Sequence, residues 1–131
     1  MSKPKAGTVL YAKDIERVAA FYAGVLDMTI SHAEATYIVL NTAAYELVVQ
    51  RIPDAIAATI HIDVPPQART NTAIKPVFVV TSLVNARTVA ACLGGSIPPV
   101  EAEWRFGDFI VCDGVDPEGN VVQFRASASD A

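Results

Sequence analysis

The sequence predicts an α+β fold built from two βαβββ modules, and three observations carry that reading. A strand-like run followed by a capped amphipathic stripe occurs twice, over residues 8–26 and again over residues 77–93. Further strand-like runs separated by short turns follow each stripe. Each series then closes on an amphipathic strand, YELVVQR at 45–51 and VVQFR at 121–125. Neither stripe can be buried by its own helix, so both helices need the face of a shared sheet, whose other face is free to curve around a ligand. The expected architecture is a curved mixed sheet around a cavity, with the helices on the outer face.

In the first module, residues 8–12 (TVLYA) form a strand, and Asp14 is placed as an N-cap whose carboxylate can accept from exposed backbone N–H groups. Ile15, Val18, Phe21, Tyr22, Val25 and Leu26 recur at helical spacing and form one buried stripe. Runs at 28–32, 36–41 and 45–51, joined by the turns HAEA and NTAA, suit an antiparallel meander. Prolines 53, 65 and 66, with QARTNT, mark residues 53–72 as a long connector with a short extended piece at 59–64.

The second module repeats this order. Residues 77–81 (VFVVT) are a strand, Ser82 is the second N-cap, and Leu83, Ala86, Val89, Ala90 and Leu93 form a helical stripe stopped by Gly94-Gly95. Strands at 103–106 and 109–112 follow Pro98-Pro99, and DPEGN at 116–120 turns the chain into the last strand. Proline presets the turn and glycine tolerates positive φ. The two caps stand 68 positions apart and the closing strands 77 apart, so the second module carries a small insertion. The chain reads as one domain, residues 1–131, with module one at about 5–52 and module two at about 73–126.

Composition excludes several function classes. A net charge of −4 offers no basic patch for nucleic acid or an anionic membrane surface. No apolar run approaches the ~20 residues of a membrane span, and MSKPKAGTVL lacks the apolar core of a secretory signal. Cys92 and Cys112 have no metal-binding spacing and are expected as two buried thiols, which fits a cytoplasmic protein.

Residues 12–28 (AKDIERVAAFYAGVLDM) and 116–124 (DPEGNVVQF) resemble the strand-to-helix junction and the closing strand of the vicinal oxygen chelate superfamily. That group comprises glyoxalase I, the bleomycin-resistance proteins and the extradiol dioxygenases. The resemblance implies the paired-module fold, a homodimer, and a divalent metal held by the first and last strand of each module. Matched by motif, the four ligand positions fall at Gly7, Glu46, Lys75 and Gln123. Glycine has no donor, a lysine ammonium repels a cation, and glutamine offers one neutral oxygen, so only Glu46 is a good ligand. The expectation is therefore no metal and no other cofactor. Either a Glu46–Lys75 ion pair with Gln123 beside it fills the metal's place, or Lys75 points to solvent.

Ligand-contact candidates on the same face are Tyr11, Glu46, Lys75, Trp104, Gln123 and Arg125, beside an apolar lining from Val9, Val48, Val77 and Val79. Tyr11 and Trp104 read either as ligand contacts or as packing, Arg125 as an anion contact or a solvated strand end, and His32 and His61 as exposed polar residues. The function that results is metal-independent binding of a small organic ligand. The alternatives are a glyoxalase-like lyase or isomerase or a dioxygenase, using a divalent metal or Glu46 as catalytic base, and a plain interaction module.

Overall fold

A computed structural model describes residues 5–129. In chain order its elements are β1 (Ala6–Ala12), α1 (Ile15–Val25), β2 (Thr29–Ala33), β3 (Tyr37–Asn41), β4 (Tyr45–Arg51), α2 (Asp54–Ala57), β5 (Val77–Val79), α3 (Leu83–Cys92), β6 (Trp104–Phe106), β7 (Phe109–Val115) and β8 (Val121–Ser127). A single 3-10 turn, Val100–Ala102, precedes β6.

The strands form two four-stranded mixed sheets, in the orders β1-β4-β3-β2 and β5-β8-β7-β6. In each, the first strand pairs parallel with the last and the remaining ladders are antiparallel. Each strand order fits a βαβββ module. β1 and β5 are both edge strands and are not hydrogen-bonded to each other, so each module contributes one sheet.

Local chemistry starts each long helix as read from the chain. Asp14 accepts from the Arg17 N–H at 3.1 Å, and Ser82 from the Asn85 N–H at 3.2 Å. All six residues of the first stripe are buried; in α3, Leu83, Ala86 and Ala90 are buried and Val89 and Leu93 pack partly against them. Gly94, at φ +90°, lets the chain leave α3. Cys112 is buried as expected, but Cys92 is exposed, because it lies off the stripe that faces the sheet. The connector differs from expectation as well: residues 59–64 form no strand, and a one-turn helix occupies Asp54–Ala57.

Alternation sends one face of each sheet into a continuous core. Ile38, Leu40, Leu47 and Val49 meet α1 from the first sheet, and Phe78, Cys112, Val122 and Phe124 join from the second. Phe78 links the two, its ring 5.8 Å from Tyr22 and 5.3 Å, edge-on, from Tyr45.

The DPEGN turn is the second link. Asp116 and Glu118 are the two buried acids among the described residues. The Glu118 carboxylate accepts from the backbone N–H of Lys13 at 2.9 Å and of Asp14 at 2.8 Å, where β1 hands over to α1. Asp116 Oδ1 accepts from the N–H groups of Glu118 (2.9 Å) and Asn120 (3.0 Å). Its Oδ2 accepts from the Tyr22 hydroxyl and the Asn120 side-chain amide, both at 2.8 Å. A motif in module two thus holds α1 of module one through charge-assisted hydrogen bonds.

Candidate functional site

The faces turned away from the helices carry the candidate residues. On the first sheet, register places Gly7 opposite Glu46, Val9 opposite Val48 and Tyr11 opposite Gln50. On the second, Val77 and Asp113 flank Gln123, Val79 and Val111 flank Arg125, and Trp104 lies opposite Val111. Tyr11 and Glu46 therefore share one sheet, and Lys75, Trp104, Gln123 and Arg125 gather on or beside the other.

The polar groups of the second sheet pair with one another. Lys75 Nζ donates to Asp113 Oδ2 at 2.6 Å, and Arg125 Nε donates to Gln123 Oε1 at 2.7 Å. The Arg125 guanidinium lies 4.8 Å from the centre of the Phe106 ring and 5.8 Å from that of Phe109, within cation–π range of both. Arg125 is thus a packed, hydrogen-bonded group rather than a solvated strand end. The expected Glu46–Lys75 pair is not formed: Lys75 precedes β5 and reaches across to β7. Among the described residues Glu46 makes no ion pair or side-chain hydrogen bond. Asp113 was missed in the sequence, although counting back through the DPEGN hairpin places it directly opposite Gln123. One of its oxygens, Oδ1, is buried and among the described residues has no hydrogen-bond partner.

The ligand positions implied by the family resemblance do not fit a metal. Register makes Val77, not Lys75, the counterpart of Gly7, and neither has a donor side chain. The one carbonyl oxygen Gln123 could offer already accepts from Arg125. Among the described residues no three His, Cys, Asp or Glu side chains come together as a cation site. His32 and His61 are exposed and bond to Glu34 (3.0 Å) and Asp63 (2.9 Å), away from both open faces' acids.

Apolar side chains stand exposed around these groups. Val9 is 56% exposed, Tyr11 58%, Val79 65%, Phe106 56% and Trp104 40%. Three clefts border the open faces. The most apolar, about 230 Å³, runs between Met28, Ala44 and Tyr45 on one side and Val77, Phe78 and Val79 on the other. It holds Val77 and Val79 of the expected apolar lining but none of Tyr11, Glu46, Lys75, Trp104, Gln123 and Arg125, so enclosure and polar chemistry do not coincide in the single chain. A second, about 200 Å³, joins Val9 on β1 to Ile74, Pro76 and Val121. The third, about 310 Å³, lies under the end of the connector, at Arg69, Thr70, Thr72 and Lys75.

Comparison with known proteins places this geometry. The family described as the glyoxalase-like domain matches residues 7–124. None of the curated proteins compared matches the sequence. Among solved structures, a glyoxalase/bleomycin resistance protein/dioxygenase family enzyme from Burkholderia phytofirmans PsJN superposes with a TM-score of 0.68 at 15% identity, over 92% of this chain and 96% of that one. A bleomycin resistance determinant encoded on the transposon Tn5 gives 0.60 at 17% identity, over 95% and 98% of the two chains. A bleomycin-binding protein complexed with bleomycin gives 0.59 at 16% identity, over 97% and 99%. At these identities the likeness is one of fold.

Proposed function

The chain belongs to the glyoxalase-like domain family, within the vicinal oxygen chelate superfamily, and from that premise we propose that it is a metal-independent protein that sequesters a small organic molecule against its open sheet faces. The observation that carries this reading is the combination of exposed Val9, Tyr11, Val79, Trp104 and Phe106 with the Lys75–Asp113 and Arg125–Gln123 pairs beside them. Exposed apolar surface beside fixed polar groups is the usual make-up of a ligand site. Phe106 and Trp104 provide flat surfaces for an aromatic guest. Structural relatives that bind or confer resistance to bleomycin support the class of function but not the identity of the guest.

The test is a thermal-shift panel of aromatic and heteroaromatic compounds, run in excess chelator. A guest at a hundredfold its dissociation constant should stabilise the protein by about 2.7 kcal/mol. Replacing Trp104 or Phe106 by alanine should remove that gain. Stabilisation that needs added metal would overturn the reading. A second reading, catalysis with Glu46 as base, draws on the absence of any ion pair or side-chain hydrogen bond at Glu46 among the described residues. Turnover of a panel compound, lost in Glu46→Gln, would put that reading in place of the first.

The site also calls for a cover, and we take that cover to be a second copy of the chain. An open apolar face is most economically closed by the matching surface of a symmetric partner. Light scattering at micromolar concentration should report twice the 13.9 kDa of one chain. Trp104→Glu should shift that mass towards the single-chain value. The two free thiols of the chain suit a reducing compartment, and on that ground we place its work in the cytoplasm; among the described residues no helix is long and apolar enough to cross a membrane.

A further inference from the structure

We propose that Arg69, Thr70 and Thr72 form a second binding pocket, specific for a small oxyanion: a carboxylate or a phosphate. The three residues line the cleft of about 310 Å³ under the end of the connector, with Ile74 and Val121 as its apolar wall. Arg69 Nη2 is buried and among the described residues has no hydrogen-bond partner. A guanidinium nitrogen shut away from water without an acceptor is unfavourable, so it marks a position where an acceptor belongs.

Among the described residues no carboxylate lines this cleft. Lys75, its other cation, is already neutralised by Asp113 at 2.6 Å. The unmatched charge in the pocket is therefore that of Arg69. Thr70 and Thr72 are exposed, and among the described residues neither hydroxyl makes a side-chain hydrogen bond, so both can donate to a guest. A guanidinium and two threonines lining one cleft supply the donors that the two or three oxygens of a carboxylate or phosphate require.

The arrangement is held in place by the fold. The Arg69 N–H donates to the Gly119 carbonyl at 2.8 Å, and Arg69 bridges to Asn120, so the DPEGN turn anchors the backbone that presents the side chain. With a chain charge of −4, long-range attraction cannot concentrate anions here, and recognition must come from the pocket itself. The inference does not depend on the open-face reading: either site can fail while the other stands.

The probes are sodium phosphate and sodium acetate, titrated into the whole chain at constant ionic strength with chloride as the balancing ion. Backbone amide NMR shifts at residues 69–75 report binding. One of the two should saturate with a dissociation constant of about 1–10 mM, the range expected for a small ion held by one charge and two hydroxyls. The tighter of the two assigns the oxyanion. Arg69→Gln should weaken binding at least tenfold and Thr72→Val severalfold. In the absence of oxyanion, Arg69→Met should melt no lower than the parent, since it removes a buried group that lacks a partner. Shifts that never saturate, that chloride reproduces, or that survive Arg69→Gln unchanged would overturn the proposal. Should Arg69→Gln fail to fold, the Thr72→Val titration decides, and unchanged affinity there would also overturn it.

Discussion

Asp116→Ala is expected to lower the stability of the chain by about 4 kcal/mol, a large part of the 5–15 kcal/mol that usually separates a folded domain from its unfolded chain. Asp116 is fully buried and accepts four hydrogen bonds: from the backbone of Glu118 and Asn120, the Asn120 amide and the Tyr22 hydroxyl. Alanine leaves those donors without a partner in a space too small to hydrate fully, which costs more than the bonds themselves contribute. The measurement is urea unfolding, read as a fall in the midpoint at unchanged slope. Tyr22 adds a pH signature. Burial, and then the neighbouring Asp116 carboxylate, hold its hydroxyl well above the ordinary 10.0. In the unfolded chain Tyr22 ionises near pH 10, whereas the folded chain keeps the proton. Stability attributable to this group is thus intact below pH 10 and falls as pH climbs from there towards the raised folded value. Tyr22→Phe should remove that alkaline slope, while leaving one oxygen of Asp116 with a single donor.

The helices were legible because their determinants are local. Asp14 and Ser82 each act on a backbone N–H three residues on, and the stripe from Ile15 to Leu26 needs only a period of 3.6. The DPEGN run was readable as a turn for the same reason. What its two carboxylates do was not readable, because their partners at Lys13, Asp14 and Tyr22 lie about a hundred residues earlier.

At the site, strand alternation put Glu46, Gln123 and Arg125 on open faces, but it could not set how far Lys75 stands from β5. Lys75 stands two residues before Val77, the residue opposite Gln123, and it reaches Asp113 rather than Glu46. Arg69 escaped notice within QARTNT because a polar run reads as loop whatever it lines. Only the docking of that loop on the turn brings its guanidinium to a pocket.

Gly119→Ala tests that docking directly and should cost about 3 kcal/mol, combining left-handed backbone strain with a steric clash. Gly119 sits at φ +84°, and a Cβ built there would stand 2.1 Å from the Gln67 carbonyl oxygen. That atom belongs to the connector backbone, so it cannot swing aside as a side-chain tip would, and the whole segment from Gln67 to Arg69 must move. Gly107 supplies the internal control. It too has positive φ, at +58°, but a Cβ there meets nothing within 4 Å. Gly107→Ala should therefore cost only the backbone strain, about 1–2 kcal/mol. The gap between the two variants measures the contact between turn and connector. If Arg69 is presented by that contact, Gly119→Ala should also lose saturable oxyanion binding, and Gly107→Ala should keep it. Equal costs for the two substitutions, with binding retained in both, would mean that the connector lies on the turn without being held by it.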